Sequence, residues 1–375
     1  MEQRSAIVIG AGIVGLAMAR SLAIKGFKVK LLERNHKAVG ASIRNFGMVW
    51  PIGQPDGLLY ERALKSRSAW KSICDEADIW YDTSGSVHLA HHADEWTVLQ
   101  ELQEAFGKHR PVRLLSKEET SGICPAAQTE GLMGALHSKD ELIINPVQTI
   151  AALPAYLTEK YGVEFLWGKC VSYIHDATVY VGNHETYEAD LVFICSGADF
   201  ETLYPEEFSK LPLTKCKLQM MRLVAQPGNW KMGAALCGGL SLTHYKSFSA
   251  AASLPLLKKR YENEMAAYVE YGIHVMASQH DTGQITIGDS HEYGITHDPF
   301  DRDEINTLIL DYLKKIACFK NWQVAESWNG IYPKLTNGDT EIFYSPEQGV
   351  YVLNGLGGAG MTLSFGLAEE IVNNL

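Results

Sequence analysis

Ser5-Ala6-Ile7-Val8-Ile9 runs straight into Gly10-Ala11-Gly12-Ile13-Val14-Gly15, and this junction constrains the chain more than any other feature. The apolar run suits a strand buried on both faces of a parallel sheet. A helical pattern follows through Leu16, Ala19, Leu22 and Ala23, with Gly26 placed as its stop. A second strand, Val29-Lys30-Leu31-Leu32, then ends at Glu33. Each glycine has a mechanical reason. Gly10 makes the tight turn, Gly12 lets the backbone approach a pyrophosphate, and Gly15 lets the helix pack closely on the sheet. The helix start, with Ile13 and Val14, offers free N–H groups and a positive dipole end to phosphates. Glu33 stands where a carboxylate accepts from ribose hydroxyls, with Arg34 beside it. A bare glycine pattern says little, but strand, glycines, helix, strand and acid together predict a dinucleotide unit. These residues suit FAD and NAD equally.

Later landmarks repeat the theme. The segment 40–48 is rich in small and polar residues and reads as a loop. Asn145 and Pro146 predict a helix start running towards Lys160, with a kink or break at Pro154. Asp190-Leu191-Val192-Phe193-Ile194-Cys195 is a second buried strand, ending in Ser196-Gly197-Ala198. Val350-Tyr351-Val352-Leu353 leads into the glycines 355, 357 and 360 and a helical stretch over 363–372. Only fifteen residues follow Gly360, too few for a second complete nucleotide unit, though a helix N-terminus aimed at an anion fits. The expected fold is α/β with an α+β part. A Rossmann-like domain is assembled from 1–85, 141–205 and 326–375, and a mixed-sheet substrate domain (86–140 and 206–325) is inserted into it. Strand-like stretches at 218–225 and 284–288 and helical patterns at 96–106 and 303–316 fall in the insert.

Composition narrows the function. Thirty-three basic against forty-four acidic residues leave a net charge of −11, which argues against non-specific binding to nucleic acid or an anionic membrane. The apolar runs are too short to cross a bilayer, and no signal-type apolar segment is seen at the start. The seven cysteines are scattered without a Cys-x-x-Cys pair, which predicts buried free thiols in a reducing compartment and a cytoplasmic protein. The oligomeric state is left open. His88, His91 and His92 match no metal-ligand spacing and are expected at the surface, with no metal site. No Gly-x-Ser-x-Gly elbow or Walker loop points to hydrolysis or ATP chemistry.

Taken in order, the first glycine unit with Glu33, the Ala41-Ser42-x-Arg44-Asn45-x-Gly47 loop, the strand to Gly197 and the terminal 355–366 segment resemble the FAD-dependent oxidoreductases of the D-amino-acid, glycine and sarcosine oxidase type. The stretches 44–51, 215–222, 288–294 and 357–366 resemble more closely a subgroup associated with phosphonate utilisation, proposed to oxidise relatives of 2-aminoethylphosphonate. The resemblance implies a glutathione-reductase-type FAD domain. It implies contacts to FAD from Gly10, Gly12, Ile13, Val14, Gly15, Glu33, Arg34, Ala41, Ser42, Arg44, Asn45, Gly47, Ser196, Gly197, Gly357, Gly358, Gly360, Met361 and Thr362. Sarcosine oxidases tether their flavin through a cysteine near 329–333; that segment has none here, which implies non-covalent FAD. Their active-site lysines align with Thr286 and Thr362, which leaves oxygen and another electron acceptor both open.

The reaction implied is transfer of a hydride equivalent from the carbon beside an amine to the flavin, followed by hydrolysis of the imine. Arg44, Tyr332 and Thr362 are the candidates nearest the chemistry. Lys217, Gln219, Arg222, His244, Tyr245 and Lys246 are the candidates for holding a substrate acid group, an arginine fork suiting an oxyanion best. An aminophosphonate is the first substrate expectation. Glycine, sarcosine or a D-amino acid is the alternative, and a flavin-binding sensor or partner subunit without turnover is the second alternative.

Overall fold

Two sheets divide the chain in the computed structural model, which describes residues 3–182 and 184–375. The first strand, Ser5–Ile9, is central in a six-stranded sheet ordered 342–347, 350–354, 191–194, 5–9, 28–33, 164–167. Its pairings are parallel except for the edge hairpin of Ile342–Glu347 with Val350–Asn354. Side chains alternate between the faces, as strand geometry requires. Ala6, Val8, Val29 and Leu31 join one core with Leu16, Leu22, Trp70 and Phe365, whereas Ile7, Ile9 and Leu32 join another with Val171, Ile174 and Phe208. This explains why the strand reads as a continuous apolar run. The helices Ile13–Ile24, Leu58–Glu76, Pro146–Tyr161 and Gly360–Asn373 pack on the first face. Three antiparallel strands, Val171–His175, Thr178–Val181 and Glu185–Glu188, cover the second.

Gly15 shows how tight the first turn is: a Cβ there would lie 1.9 Å from the Gly10 carbonyl oxygen. The helix from Pro146 runs unbroken to Tyr161 with Pro154 inside it, so the expectation of a break there is corrected. Asn145 Oδ1 caps its start by accepting from Gln148 N–H, and the buried stripe Ile150, Leu153, Leu157 holds the helix against its neighbours despite the missing donor at Pro154.

The second sheet has nine strands of mixed direction. Its organiser is the long strand Leu213–Leu223. One edge pairs with Val324–Leu335 over its length, the other with Ile285–Gly288 and Glu292–Gly294. Val324–Leu335 therefore crosses the division placed at 325/326 and belongs, by its hydrogen bonds, to this sheet. Helices Ala93–Phe106 and Asp303–Ile316 contribute to the core around it.

Two surface expectations are corrected. His88 lies fully buried in the strand Ser86–Ala90, its ring 5.2 Å from that of Phe248, and burial pushes its pKa down to about 3. His91 is half-buried, its Nε2 paired with the Gln128 carbonyl, whereas His92 is exposed as expected and occupies the N-cap position of the helix Ala93–Phe106. All seven cysteines are free, but Cys170 and Cys318 are exposed rather than buried. Among the described residues, no helix is long and apolar enough to cross a membrane.

Candidate cofactor and substrate cavity

A cavity of about 1150 Å³ lies between the two sheets, lined by Ile9 and the first glycine turn on one side and by Leu218, Met220 and Met276 on the other. Typical pockets for a single small ligand span about 300–1,000 Å³, so this one has room for a larger group.

At the end nearest the six-stranded sheet, Gly10, Gly12, Ile13 and Val14 line the wall. Gly12 opens the first helix without a side-chain cap. Ser42 Oγ crosses over instead to accept from Ile13 N–H at 2.9 Å, and a Cβ on Gly12 would meet that oxygen at 3.2 Å. Glu33 Oε2 accepts from Ala11 N–H at 2.9 Å, while Oε1 accepts from both nitrogens of Asn35. The carboxylate is thus clamped at the strand end, beside the glycine turn. Arg34 pairs with Asp199, and Ser196 and Gly197 complete this part of the wall.

Within the loop 41–47 the Asn45 side chain makes three hydrogen bonds. Asn45 Nδ2 donates to the carbonyls of Ala41 and Ser42, and its Oδ1 accepts from Gly47 N–H at 2.7 Å. Arg44 donates from Nη1 to the Asn329 carbonyl at 3.1 Å and accepts from Trp328 Nε1–H through its own carbonyl, so it ties the loop to Val324–Leu335 while facing the cavity. Ala41, Ser42 and Asn45 also line the cavity. Gly15 and Gly47 do not; they stand behind the wall, where a Cβ at Gly47 would lie 2.0 Å from the Ile144 carbonyl oxygen.

The other glycine turn, Gly357–Ala359, leads into the terminal helix from Gly360, whose start is likewise uncapped and lines the cavity with Met361 and Thr362. Thr362 Oγ1 accepts from Trp50 N–H at 2.9 Å, fixing the wall there. Tyr332 lies across from this turn, its hydroxyl 3.6 Å from where a Gly358 Cβ would be, and burial holds its phenol protonated.

On the nine-stranded side, His244, Tyr245 and Lys246 line the cavity. Tyr245 packs beside Trp50, with ring centroids 6.2 Å apart, and Lys246 Nζ donates to the Gly338 carbonyl. Three expected substrate ligands lie elsewhere and are corrected. Lys217 is 2 % exposed and its ammonium donates to the carbonyls of Asp298 and Phe300. Gln219 is bound to Arg302 and Asn306. Arg222 pairs with Glu326 at 2.7 Å and lies over Trp328. The residues Trp50, His274, Asp289, His291 and Lys334 line the cavity without having been singled out. The stretch 288–294 carried the resemblance, so its acid and histidine were the available signal. Burial drives the pKa of His274 well down and that of His291 to about 4, and desolvation within the cavity lowers that of His244 although its side chain is exposed there, leaving all three imidazoles neutral near pH 7.

The donor set suits a dinucleotide. Two helix starts without a cap from their own N-cap side chains, a clamped acid at a strand end and a backbone cradle that a Cβ at Gly12 would begin to fill all border one space.

Comparison with known proteins agrees. Glycine oxidase from Bacillus cereus ATCC 14579 superposes with a TM-score of 0.77 at 17% identity, covering 99% of this chain and 94% of that one. Glycine oxidase from Geobacillus kaustophilus gives 0.76 at 20% identity, covering 100% and 95%. Glycerol 3-phosphate dehydrogenase from Caloramator mitchellensis is 26% identical over 197 residues, 51% of this chain but only 41% of that protein, so the chain matches well under two thirds of this curated relative. The family model described as FAD dependent oxidoreductase (DAO) matches residues 5–374, and the chain, an FAD-dependent oxidoreductase with that family's Rossmann-like fold, belongs to it.

Proposed function

We propose that the chain oxidises the C–N bond of a small amine that also carries an acid group. The observation that supports this best is the single cavity that joins two helix starts, neither capped by its own N-cap side chain, to a wall of neutral histidines and aromatic rings. FAD, when bound, supplies the acceptor for a hydride equivalent. In this reading Gly10, Gly12, Ile13 and Val14 receive its pyrophosphate, Glu33 its ribose hydroxyls, and Arg34, Ser196 and Gly197 the nucleotide end. Ala41, Ser42, Arg44, Asn45 and the turn Gly357, Gly358, Gly360, Met361 and Thr362 border its ring. Gly15 and Gly47 position these walls from behind. The absence of cysteine from 329–333 supports FAD held without a covalent bond.

The chain's own contribution is to bind, orient and dry the substrate. An amine reacts only when neutral, and Met48, Trp50, Leu218 and Met276 surround it with apolar surface that disfavours the ammonium form. Tyr332 stays protonated and offers a hydroxyl donor from above the terminal turn. With Lys217, Gln219 and Arg222 turned elsewhere, the acid group is left to Arg44, Tyr245, Lys246 and Lys334.

Two acid groups fit this reading. The names of the two glycine oxidases point to a carboxylate on a small amino acid, and that of the glycerol 3-phosphate dehydrogenase to a substrate bearing phosphorus oxygens, as an aminophosphonate does. The test is an anaerobic visible spectrum of the purified protein during additions of 2-aminoethylphosphonate, glycine, sarcosine and D-alanine. Bleaching by amino acids selects the carboxylate arm, and bleaching by the aminophosphonate alone selects the other. A flavin that no amine reduces overturns C–N oxidation.

A further inference from the structure

We propose that His244, His274 and His291 form a binding site for a divalent transition metal of the zinc type in the cavity wall. One ring nitrogen from each lies within 4.8 Å of the others, and the ring centroids are 3.8, 4.7 and 5.1 Å apart. They come from three separate segments: the turn closing Gly239–Thr243, the approach to Met276–Gln279, and the loop before Glu292–Gly294. Two of these segments are zipped together. Asp289 N–H donates to the His274 carbonyl at 2.8 Å, His274 N–H donates back at 3.2 Å, and His291 N–H donates to Tyr271 at 2.8 Å.

The hydrogen bonds of the rings leave nitrogens over. His291 Nδ1 donates to the Gly272 carbonyl at 2.9 Å, which leaves a lone pair on Nε2. His274 Nε2 lies 3.0 Å from Asp289 Oδ1 but outside hydrogen-bond geometry, and Asp289 Oδ1 and His274 Nδ1 are both buried without a hydrogen-bond partner. His244 turns its ring to the cavity, and its ring nitrogens have no protein partner among the described residues. His291, steadied at one nitrogen by a carbonyl and bare at the other, has the usual presentation of a metal ligand. A wall built only for packing gains nothing from orphaned buried polar atoms, each of which costs about 1–3 kcal/mol.

A zinc–nitrogen bond of about 2.0–2.1 Å in a tetrahedral site sets nitrogens about 3.4 Å apart, so the rings draw inward on binding, His244 most freely. Three imidazoles leave a further position open to the cavity, where an anionic oxygen of a substrate would reach it. Only this last point rests on the proposed amine oxidation.

The test uses the flavin-loaded protein, stripped with EDTA, desalted and dialysed against zinc with no substrate. Metal per chain is read by elemental analysis, and flavin absorbance reports that the fold is intact. The wild type should retain one zinc per chain. His244→Ala, which disturbs no packed core, should retain under about a tenth of that, and Asp289→Asn should weaken binding by about 10–100-fold. A wild type that retains no zinc, or a His244→Ala protein that retains as much as wild type, overturns the site. Because zinc retention is read without substrate, its failure leaves C–N oxidation standing, and an unbleached flavin leaves the metal site standing.

Discussion

Gly12 and Glu141 show how much a single residue decides. In front of Gly12 stand the start of the first helix and the Ser42 hydroxyl, which accepts from Ile13 N–H. A carboxylate introduced by Gly12→Asp would face a bound pyrophosphate, and two like charges at about 4 Å repel by about 4 kcal/mol at an effective dielectric of about 20. That is roughly a thousandfold in affinity, so this variant should purify without yellow colour, as an absorbance spectrum would register. Glu141 is fully buried, accepting from Ile52 N–H at one oxygen and Ser86 Oγ–H at the other, and burial pushes its pKa up to about 7 from 4.5. Between these values the unfolded chain gives up the proton that the folded chain keeps. Stability from this group is therefore full below about pH 4.5, falls as pH rises and levels off above about pH 7, a loss of about 3 kcal/mol. Glu141→Gln mimics the protonated acid and should remove this slope. Denaturation midpoints of both proteins at about pH 5 and about pH 8 would measure it.

At the scale of elements, the long strand Leu213–Leu223 separates what a sequence reader can see from what packing decides. Its odd positions Lys215, Lys217 and Gln219 are polar and its even positions Cys216, Leu218 and Met220 apolar, which invites placing the polar face on the substrate. The cavity is lined by Leu218 and Met220 instead, and Lys217 and Gln219 are buried against the loop and helix that follow residue 297. In a sheet covered on both faces, alternation tells the two faces apart but not which one borders the ligand. Lys217→Met should therefore lower stability by about 1–3 kcal/mol by leaving two carbonyls unpaired, with KM unmoved. Arg222→Ala removes a pair with an exposed partner and should cost under about 1 kcal/mol, with no preference between phosphonate and carboxylate substrates. Thermal melts and KM values on both variants check these expectations, and a KM shift confined to the phosphonate would return Arg222 to the site.

For the whole molecule, the cavity lies where the six-stranded and nine-stranded sheets face each other, so its occupant touches both. A ligand that binds only the folded chain adds stability by mass action, about 2.7 kcal/mol at a hundred times its Kd. Flavin-free protein should accordingly melt at temperatures that climb with added FAD, and a melting temperature indifferent to FAD would place the cofactor elsewhere.

What could be read in advance was local. The strand, glycine turn, helix and acid of the first thirty-three residues depend on neighbours in sequence, because buried apolar runs and tight turns are written within a few residues of one another. The return of strands at 191–194 and 350–354 followed from the same signals. The gathering of His244, His274 and His291, the turning of Lys217 and Arg222 away from the cavity, and the burial of His88 were decided only by tertiary structure. These depend on which segments, tens of residues apart, pair in register and which face of a doubly covered sheet meets the ligand. No local period encodes either choice; the packing of the whole chain settles both.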